Sequence, residues 1–162
     1  MEYEYSTVVK NLDLFVEYCK ENKYELESES YQIRELYKND SGIMARITTE
    51  LYNERETTLL DFKSDDESDN VLKISKETIP LVVTKENKRA IDSILECFGY
   101  AQKKLLKRKR IIYVKNGVKF ELDHYTEPNP FYVVAIEGVK EEVDVVYHEL
   151  EDCYKTNAIP TP

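Results

Sequence analysis

The sequence predicts an α+β fold in which eight antiparallel strands curl into a closed or nearly closed barrel, with helices packed outside it. Most of the chain alternates polar and apolar residues with the period of two that β-strands have. Three other segments show the helical spacing i, i+3, i+4, i+7. Charged residues gather on one face of the predicted strands. The length of 162 residues suits one domain with its own core, which we place at residues 1–155 with a tail at 156–162.

The first half of the chain predicts a strand, a helix and a meander of strands. Residues 2–10 alternate and form the first strand, and Asn11 is the predicted N-cap of the first helix. The apolar face of this helix consists of Leu12, Phe15, Val16 and Cys19. Predicted strands follow at 25–38, 43–51 and 55–63. The acidic stretch 64–70 predicts a mobile surface loop, and it lacks the Gly and the terminal Glu of an EF-hand calcium loop.

The second half repeats the order of strand and helix. A strand at 71–84, with a break or bulge at Pro80, leads into a second helix that Gly99 ends. Strands at 103–114, 117–124 and 131–138 follow, the first two joined by the Asn116-Gly117 hairpin turn. The apolar face of the second helix is Ile91, Ile94, Leu95 and Phe98, and that of a third helix is Val143, Val146, Tyr147 and Leu150.

Composition excludes several classes of function. The net charge of −9 disfavours nucleic acid as a partner, because nucleic-acid surfaces need a basic face. No apolar run approaches the roughly 20 residues that span a bilayer, and the N-terminus lacks the features of a signal peptide. We therefore expect a soluble, cytoplasmic protein with no membrane partner. Cys19, Cys97 and Cys153 are expected to be buried, reduced thiols, and zinc is not expected.

The charges on the predicted strands follow a pattern. The polar faces comprise Glu2 and Glu4; Arg46; Asp61 and Lys63; Lys73, Ser75 and Glu77; Arg108 and Arg110; Glu121 and Asp123; and Glu137. If the apolar faces turn outward under the helices, these charges line a lumen, where they must pair, bind ions or stay hydrated. They could equally form the solvent face of an open sheet. The pattern alone leaves both arrangements open.

The motifs, taken in order, resemble the CYTH domain family, also called triphosphate tunnel metalloenzymes, which includes class IV adenylyl cyclases and thiamine triphosphatases. The family's Glu-x-Glu-x-Lys strand resembles residues 2–6, its Leu-Arg-x-Arg strand residues 45–48, and its Thr-Phe-Lys strand residues 60–63. Its basic strand resembles residues 107–113, its Leu-Asp strand 120–123, and its Phe-x-Glu-Ile-Glu-Gly signature 133–138. The chain departs from the family at Ser6, Thr48 and Ala135, which stand in place of Lys, Arg and Glu.

The resemblance implies a tunnel that holds a divalent metal and a triphosphate. By this resemblance, the catalytic residues that hold Mg²⁺ or Mn²⁺ would be Glu2, Glu4, Asp123 and Glu137, with assistance from Glu121. The residues that bind the phosphates would be Arg46, Lys63, Lys73, Arg108 and Arg110. His124 and His148 receive no role. The tyrosines are expected to pack between barrel and helices, although Tyr31 and Tyr37 could reach a ligand at the tunnel mouth.

The implied function is metal-dependent hydrolysis of a triphosphate-containing small molecule, such as inorganic triphosphate, thiamine triphosphate or a nucleoside triphosphate. Two alternatives remain at this stage. The three departures remove charged groups from the implied lumen, so the protein could be a catalytically degenerate binder of a nucleotide, a polyphosphate or a protein partner. The other alternative is a class IV-type adenylyl cyclase. The sequence makes no prediction of oligomeric state.

Overall fold

The structure is a computed structural model that describes residues 2–68 and 72–159, without the side chains of Glu2, residues 65–68 and Lys73. Nine strands and three helices lie within these described residues. The elements are β1 Glu2–Val9, α1 Asp13–Glu21, β2 Glu25–Lys38, β3 Met44–Tyr52, β4 Arg55–Ser68, β5 Leu72–Glu77, β6 Leu81–Val82, α2 Lys88–Cys97, β7 Ala101–Lys115, β8 Val118–Glu127, β9 Phe131–Gly138 and α3 Lys140–Asn157.

Eight of the strands close into a ring. They are hydrogen-bonded in the order β3-β2-β7-β8-β9-β1-β5-β4, and β4 pairs back onto β3. Every pairing in the ring is antiparallel. The two-residue strand β6 adds to β4 outside the ring. The predicted fold class, a closed antiparallel barrel with helices outside, is therefore confirmed.

The apolar strand faces point away from the lumen and form two cores under the helices. The larger core packs α1 and α3 against β8 and β9, and its members include Phe15, Cys19, Phe120, Leu122, Val134, Ile136, Val143, Leu150 and Tyr154. The smaller core packs α2 against β3 and β4 through Ala45, Ile47, Leu60, Ile91 and Leu95. Burial of these outer faces turns the alternate, charged positions inward, since successive side chains of a strand point to opposite faces. The open-sheet alternative is thereby excluded.

The predicted boundary after β4 was wrong, whereas the predicted break at Pro80 is confirmed. Strand β4 continues to Ser68, so residues 64–68 form a strand that pairs with β5 where we expected a loop, and residues 69–70 lie outside the described residues. Backbone pairing to an adjacent strand can override an unfavourable local composition. The single strand predicted at 71–84 is divided into β5 and β6 with Pro80 between them. The N-cap of α1 is Leu12 and not the predicted Asn11, whose side chain accepts a hydrogen bond from the Asp13 N–H.

The predicted burial of the three cysteines holds only for Cys19. Cys19 is buried and Cys153 partly buried, whereas Cys97 is exposed. Cys97 follows the buried Leu95 by two positions, about 200° around the helix, and so faces solvent. Ile94 and Phe98, predicted on the apolar face of α2, are also exposed, at 54% and 68%. The covered stripe of α2 is therefore narrower than predicted.

The C-terminal residues that the structure describes pair with β1. Helix α3 ends at Asn157, Ala158 forms a bridge to Val9, and the Ile159 N–H donates to the Val8 carbonyl. These contacts cover residues 158–159 of the predicted tail, and residues 160–162 lie outside the described residues. Within the described chain, the helices all lack the combination of length and apolar character needed to cross a membrane.

Candidate functional site

The ring encloses a cavity of about 670 Å³ to which all eight ring strands contribute side chains. Because inward positions recur every second residue, pairs such as Asp61 and Lys63, or Arg108 and Arg110, face the cavity together. Among the described side chains, thirteen charged residues line it, seven basic and six acidic: Arg34, Lys38, Arg46, Lys63, Arg108, Arg110 and Lys119, with Glu4, Asp61, Glu77, Glu121, Asp123 and Glu137. The predicted lumen residues are all among them except Ser75, which is buried, and Glu2 and Lys73, whose side chains lie outside the described residues.

One side of the lumen carries an ion-pair network across β1, β3, β4 and β5, which we call the Arg46 cluster. The Arg46 Nε lies 2.9 Å from Asp61 Oδ1, and its Nη2 lies 3.0 Å from Glu77 Oε1. The Lys63 Nζ lies 3.4 Å from Glu77 Oε1 and 3.7 Å from Glu4 Oε2. Burial would lower the pKa of Arg46, but Asp61 and Glu77 outweigh burial and raise it. Both cations of this cluster are thus neutralised within the protein.

The other side of the lumen carries a denser network on β7, β8 and β9, which we call the Asp123 cluster. The Arg110 Nε and Nη2 donate to the two oxygens of Asp123 at 2.7 and 2.8 Å, and the Arg110 Nη1 lies 2.5 Å from Glu121. Lys119 pairs with Glu121 at 3.2 Å and also with Glu137. Burial would raise the pKa of Glu121, but Arg110, Lys119 and Arg108 outweigh burial and lower it to about 2. Lys119 and Glu137 also line a second cavity, of about 460 Å³.

The sequence analysis missed four lumen residues of these networks: Gln32, Arg34, Lys119 and Tyr125. Arg108 donates from Nε to Gln32 Oε1 at 2.7 Å, and from Nη1 to Asp123 at 3.1 Å and to the Tyr125 hydroxyl at 2.8 Å. Arg34 donates from Nη1 to the same hydroxyl at 3.2 Å. Lys119 lies two residues before Glu121, so it belongs to the same face of β8 as Glu121 and Asp123, which the sequence analysis had identified. Gln32 and Arg34 alternate with the exposed Tyr31 and Ile33 on β2, and that alternation was the available signal.

The three departures from the family pattern all face the cavity. Ser6 on β1 lies directly opposite Ala135 on β9. Thr48 on β3 lies directly opposite Arg34 on β2. Directly opposed residues of antiparallel strands share a face and have Cβ atoms about 5 Å apart. Ser6 and Ala135 therefore stand at neighbouring positions where the family pattern has Lys and Glu. Thr48, which stands where the pattern has Arg, has Arg34 beside it.

Four residues singled out in the sequence lie away from the cavity lining. His124 stacks on Tyr132 with ring centroids 4.6 Å apart, and the His148 Nδ1 lies 3.6 Å from Glu151. This agrees with giving neither histidine a role. Tyr31 and Tyr37 belong to the odd-numbered, outward positions of β2, whereas Gln32, Arg34 and Leu36 line the cavity. Neither tyrosine lines the cavity, and contact of either one with a ligand at its mouth stays a prediction.

The contacts of the predicted metal ligands show whether their carboxylates could hold a divalent cation. Glu4 and Glu137 are opposed on β1 and β9, and both line the cavity. However, Glu137 pairs with Lys119, Glu4 with Lys63, and Asp123 with two arginines. Within the described part of the chain, no three His, Cys, Asp or Glu side chains group closely enough to hold a metal ion. As arranged, these carboxylates are partnered by basic side chains and do not fit a divalent cation.

Comparison with known proteins connects this tunnel to solved structures. No family model and no curated protein sequence matches the chain. The PH1012 protein from Pyrococcus horikoshii OT3 is similar over 100% of this chain and 96% of its own, with a TM-score of 0.73 and 17% identity. HpAC1 from Hippeastrum, a candidate adenylyl cyclase with a dominant triphosphatase activity, is similar over 100% of this chain and 92% of its own, with a TM-score of 0.67 and 13% identity.

This chain shares the fold of the PH1012 protein and HpAC1. A chain from the Schizosaccharomyces pombe Mediator head module is also similar, over 98% of this chain and 97% of its own, with a TM-score of 0.61 and 9% identity. The same tunnel-like fold thus occurs in a protein described as a triphosphatase and in a component of the Mediator head module. At these identities the likeness establishes the fold, and the residues of the lumen must carry any argument about function.

Proposed function

We propose that the tunnel binds the triphosphate group of a small molecule. The observation that carries this proposal is the convergence of seven basic side chains on one cavity of about 670 Å³. Arginine forks and lysine ammonium groups are the side chains that bind phosphate oxygens, and a cavity of this volume is in the range that holds small-molecule ligands. The triphosphatase activity described for HpAC1, which has the same fold, supports this choice of ligand class.

Hydrolysis dependent on Mg²⁺ or Mn²⁺ remains a prediction. Two of the implied ligands, Glu4 and Glu137, are opposed in the lumen, but both are partnered by lysines. A divalent cation at Glu137 would have to displace the Lys119 ammonium, which already supplies positive charge there. We therefore propose binding as the primary function and derive no chemical step through a metal. Cyclase activity is secondary to binding, because it needs a base-recognition site in addition to the phosphate site.

A second candidate function is attachment to a protein partner without a small-molecule ligand. The similarity to a chain of the Mediator head module favours it, together with the internal pairing of most lumen charges. Such pairing would let the tunnel exist as a structural element, since paired buried charges do not require a ligand. Under this alternative, no phosphate compound should bind in the lumen.

Calorimetric titration of inorganic triphosphate, thiamine triphosphate and ATP into the protein tests the proposal, each with EDTA and again with Mg²⁺ or Mn²⁺. The Lys63→Gln variant removes a lumen cation whose ion pairs, at 3.4 and 3.7 Å, are loose. The matched control Arg89→Gln removes an exposed cation on α2. We expect binding that weakens about 10-fold in Lys63→Gln and is unchanged in Arg89→Gln.

Release of phosphate and of cyclic AMP is measured on the same samples. Turnover that requires metal would extend the function to hydrolysis or cyclisation, and binding without turnover would identify a binding protein. Failure of the wild-type protein to bind any of the three compounds under any metal condition would contradict the proposal and favour the protein-partner alternative.

A further inference from the structure

Arg34 differs from the other lumen arginines in its partners. Arg46, Arg108 and Arg110 each form an ion pair with at least one carboxylate. Across the described residues, Arg34 forms none within 4.0 Å, and its Nε is buried without a hydrogen-bond partner. Its Nη1 donates to the Tyr125 hydroxyl at 3.2 Å. Such an unsatisfied charged donor is unfavourable unless a ligand completes it.

Arg108 is linked to Arg34 through Tyr125 and also has little negative charge around it. It is only 4% exposed, and its Nη1 donates to the same Tyr125 hydroxyl at 2.8 Å. Its one carboxylate, Asp123, also accepts both hydrogen bonds of Arg110. Burial and the charges of Arg110 and Arg34 together outweigh Asp123 and lower the pKa of Arg108 to about 10. Because Arg110 also pairs with Glu121, the shortage of negative charge falls on Arg34 and Arg108.

The strand register places Arg34 between uncharged neighbours. It is opposed by Thr48 on β3 and by Leu106 on β7, and all three line the main cavity. No carboxylate can approach Arg34 from these two positions. The Tyr125 hydroxyl joins Arg34 and Arg108 from β8, so the two guanidinium groups are held near one point of the lumen.

We propose that Arg34 and Arg108 form the anion-binding centre of the tunnel and take one phosphoryl group of the ligand directly on their guanidinium donors. This inference rests on the proposed function and deepens it by naming the residues that carry recognition. A phosphoryl oxygen would occupy the unpartnered Nε of Arg34 and balance the surplus charge. The fork of a guanidinium matches two phosphoryl oxygens at once, and Tyr125 fixes both arginines before the ligand arrives.

Titration of inorganic triphosphate into Arg34→Gln and the control Arg89→Gln, with EDTA and again with Mg²⁺, tests this assignment. We expect Arg34→Gln to weaken binding at least about 10-fold, because a charge-assisted contact is lost, and Arg89→Gln to leave it unchanged. Thermal unfolding without ligand separates binding from folding. Because the Arg34 charge is unpaired, the Tm of Arg34→Gln should equal or exceed that of the wild-type protein.

A double variant that exchanges the residues at the opposed positions 34 and 48 provides a second test. Thr48 is opposed to Arg34, so the double variant Arg34→Thr/Thr48→Arg returns a guanidinium to the same part of the lumen. We expect Arg34→Thr to lose affinity and the double variant to return to within about 3-fold of the wild-type protein. Equal affinity of wild-type and Arg34→Gln protein for triphosphate would overturn the assignment, as would a loss that is explained by a lowered Tm.

Inorganic sulfate, a single oxyanion, distinguishes failure of this inference from failure of the proposed function. If triphosphate does not bind but sulfate raises the Tm of the wild-type protein and not of Arg34→Gln, the centre exists and the ligand class is wrong. If triphosphate binds and Arg34→Gln binds it equally well, the function stands and the centre lies elsewhere. If neither anion binds to the wild-type protein, both are wrong.

Discussion

Ser6 and Ala135 face each other across β1 and β9, both buried, at the lumen positions where the family pattern has Lys and Glu. The two departures therefore remove a neighbouring positive and negative charge together. Considered along the sequence, they look like separate losses of function. Because the two positions are opposed, the two changes together leave the net charge of the lumen unchanged. A small serine and alanine stand where the family pattern has the larger Lys and Glu.

Ser6 and Ala135 should behave as a coupled pair in a double-mutant cycle. Ala135 is also opposed to Glu121 on β8, so Ala135→Glu places a new carboxylate beside an existing one and should lower the free energy of unfolding by about 2 kcal/mol or more. Adding Ser6→Lys should recover at least about 1 kcal/mol. Urea denaturation at pH 7 measures all four proteins, and strictly additive effects would show that the two positions do not interact.

Glu121 should stabilise the protein at neutral pH and lose this contribution in acid. Its pKa in the folded protein is lowered to about 2, against about 4.3 for an unperturbed glutamate, so the folded state binds this proton less tightly than the unfolded state. Its contribution is complete above about pH 5 and is lost as the pH falls toward 2. Glu121→Gln should cost roughly 1–3 kcal/mol at pH 7, and the difference from wild type should shrink below about pH 4.5. Urea denaturation across this pH range measures it, and a constant difference would contradict the prediction.

Lys119 should exclude divalent cations from the carboxylates it contacts. Its ammonium pairs with both Glu121 and Glu137, so Lys119→Met leaves two neighbouring carboxylates without that partner. We expect Mn²⁺ to raise the Tm of Lys119→Met and to leave the Tm of the wild-type protein nearly unchanged, because carboxylate oxygens are suitable ligands for this ion. Lys155→Met, on the exposed end of α3, is the control. An equal response of wild-type and Lys119→Met protein to Mn²⁺ would show that Lys119 does not occupy the site.

The three cysteines should react at very different rates with a thiol reagent. Cys97 is exposed, Cys153 is partly buried, and Cys19 is fully buried with a pKa that burial raises to about 12. Because the thiolate is the reacting species, the native protein should show one fast thiol, which Cys97→Ser removes. Labelling by Ellman's reagent, with the unfolded protein as the total, measures this. A fast phase that persists in Cys97→Ser would mean that the packing of α1 or α3 is looser than described.

Sequence alone was sufficient for much of the fold because its strands carry a strict period of two. The alternation of charged residues with Ile47, Leu60, Phe120 and Leu122 identified which face would be buried, and all four are buried. Prediction failed where local composition and tertiary pairing disagree. The polar residues 64–68 have little strand propensity of their own, yet they form a strand because β5 lies beside them.

The lumen shows the same division between what the sequence determined and what tertiary structure decided. The sequence determined that Asp61 and Lys63, Arg108 and Arg110, and Glu121 and Asp123 share a face of their strands, since that follows from period two within each strand. The closed ring decided that these faces point inward. Only the closed ring decided which charges neutralise one another, because ion-pair partners such as Glu4 and Lys63 lie on β1 and β4, far apart in the chain. The ring also opposed Arg34 to Thr48, and none of the carboxylates that the structure describes forms an ion pair with its guanidinium. Register between strands depends on the packing of whole elements, and no single segment of the sequence specifies it.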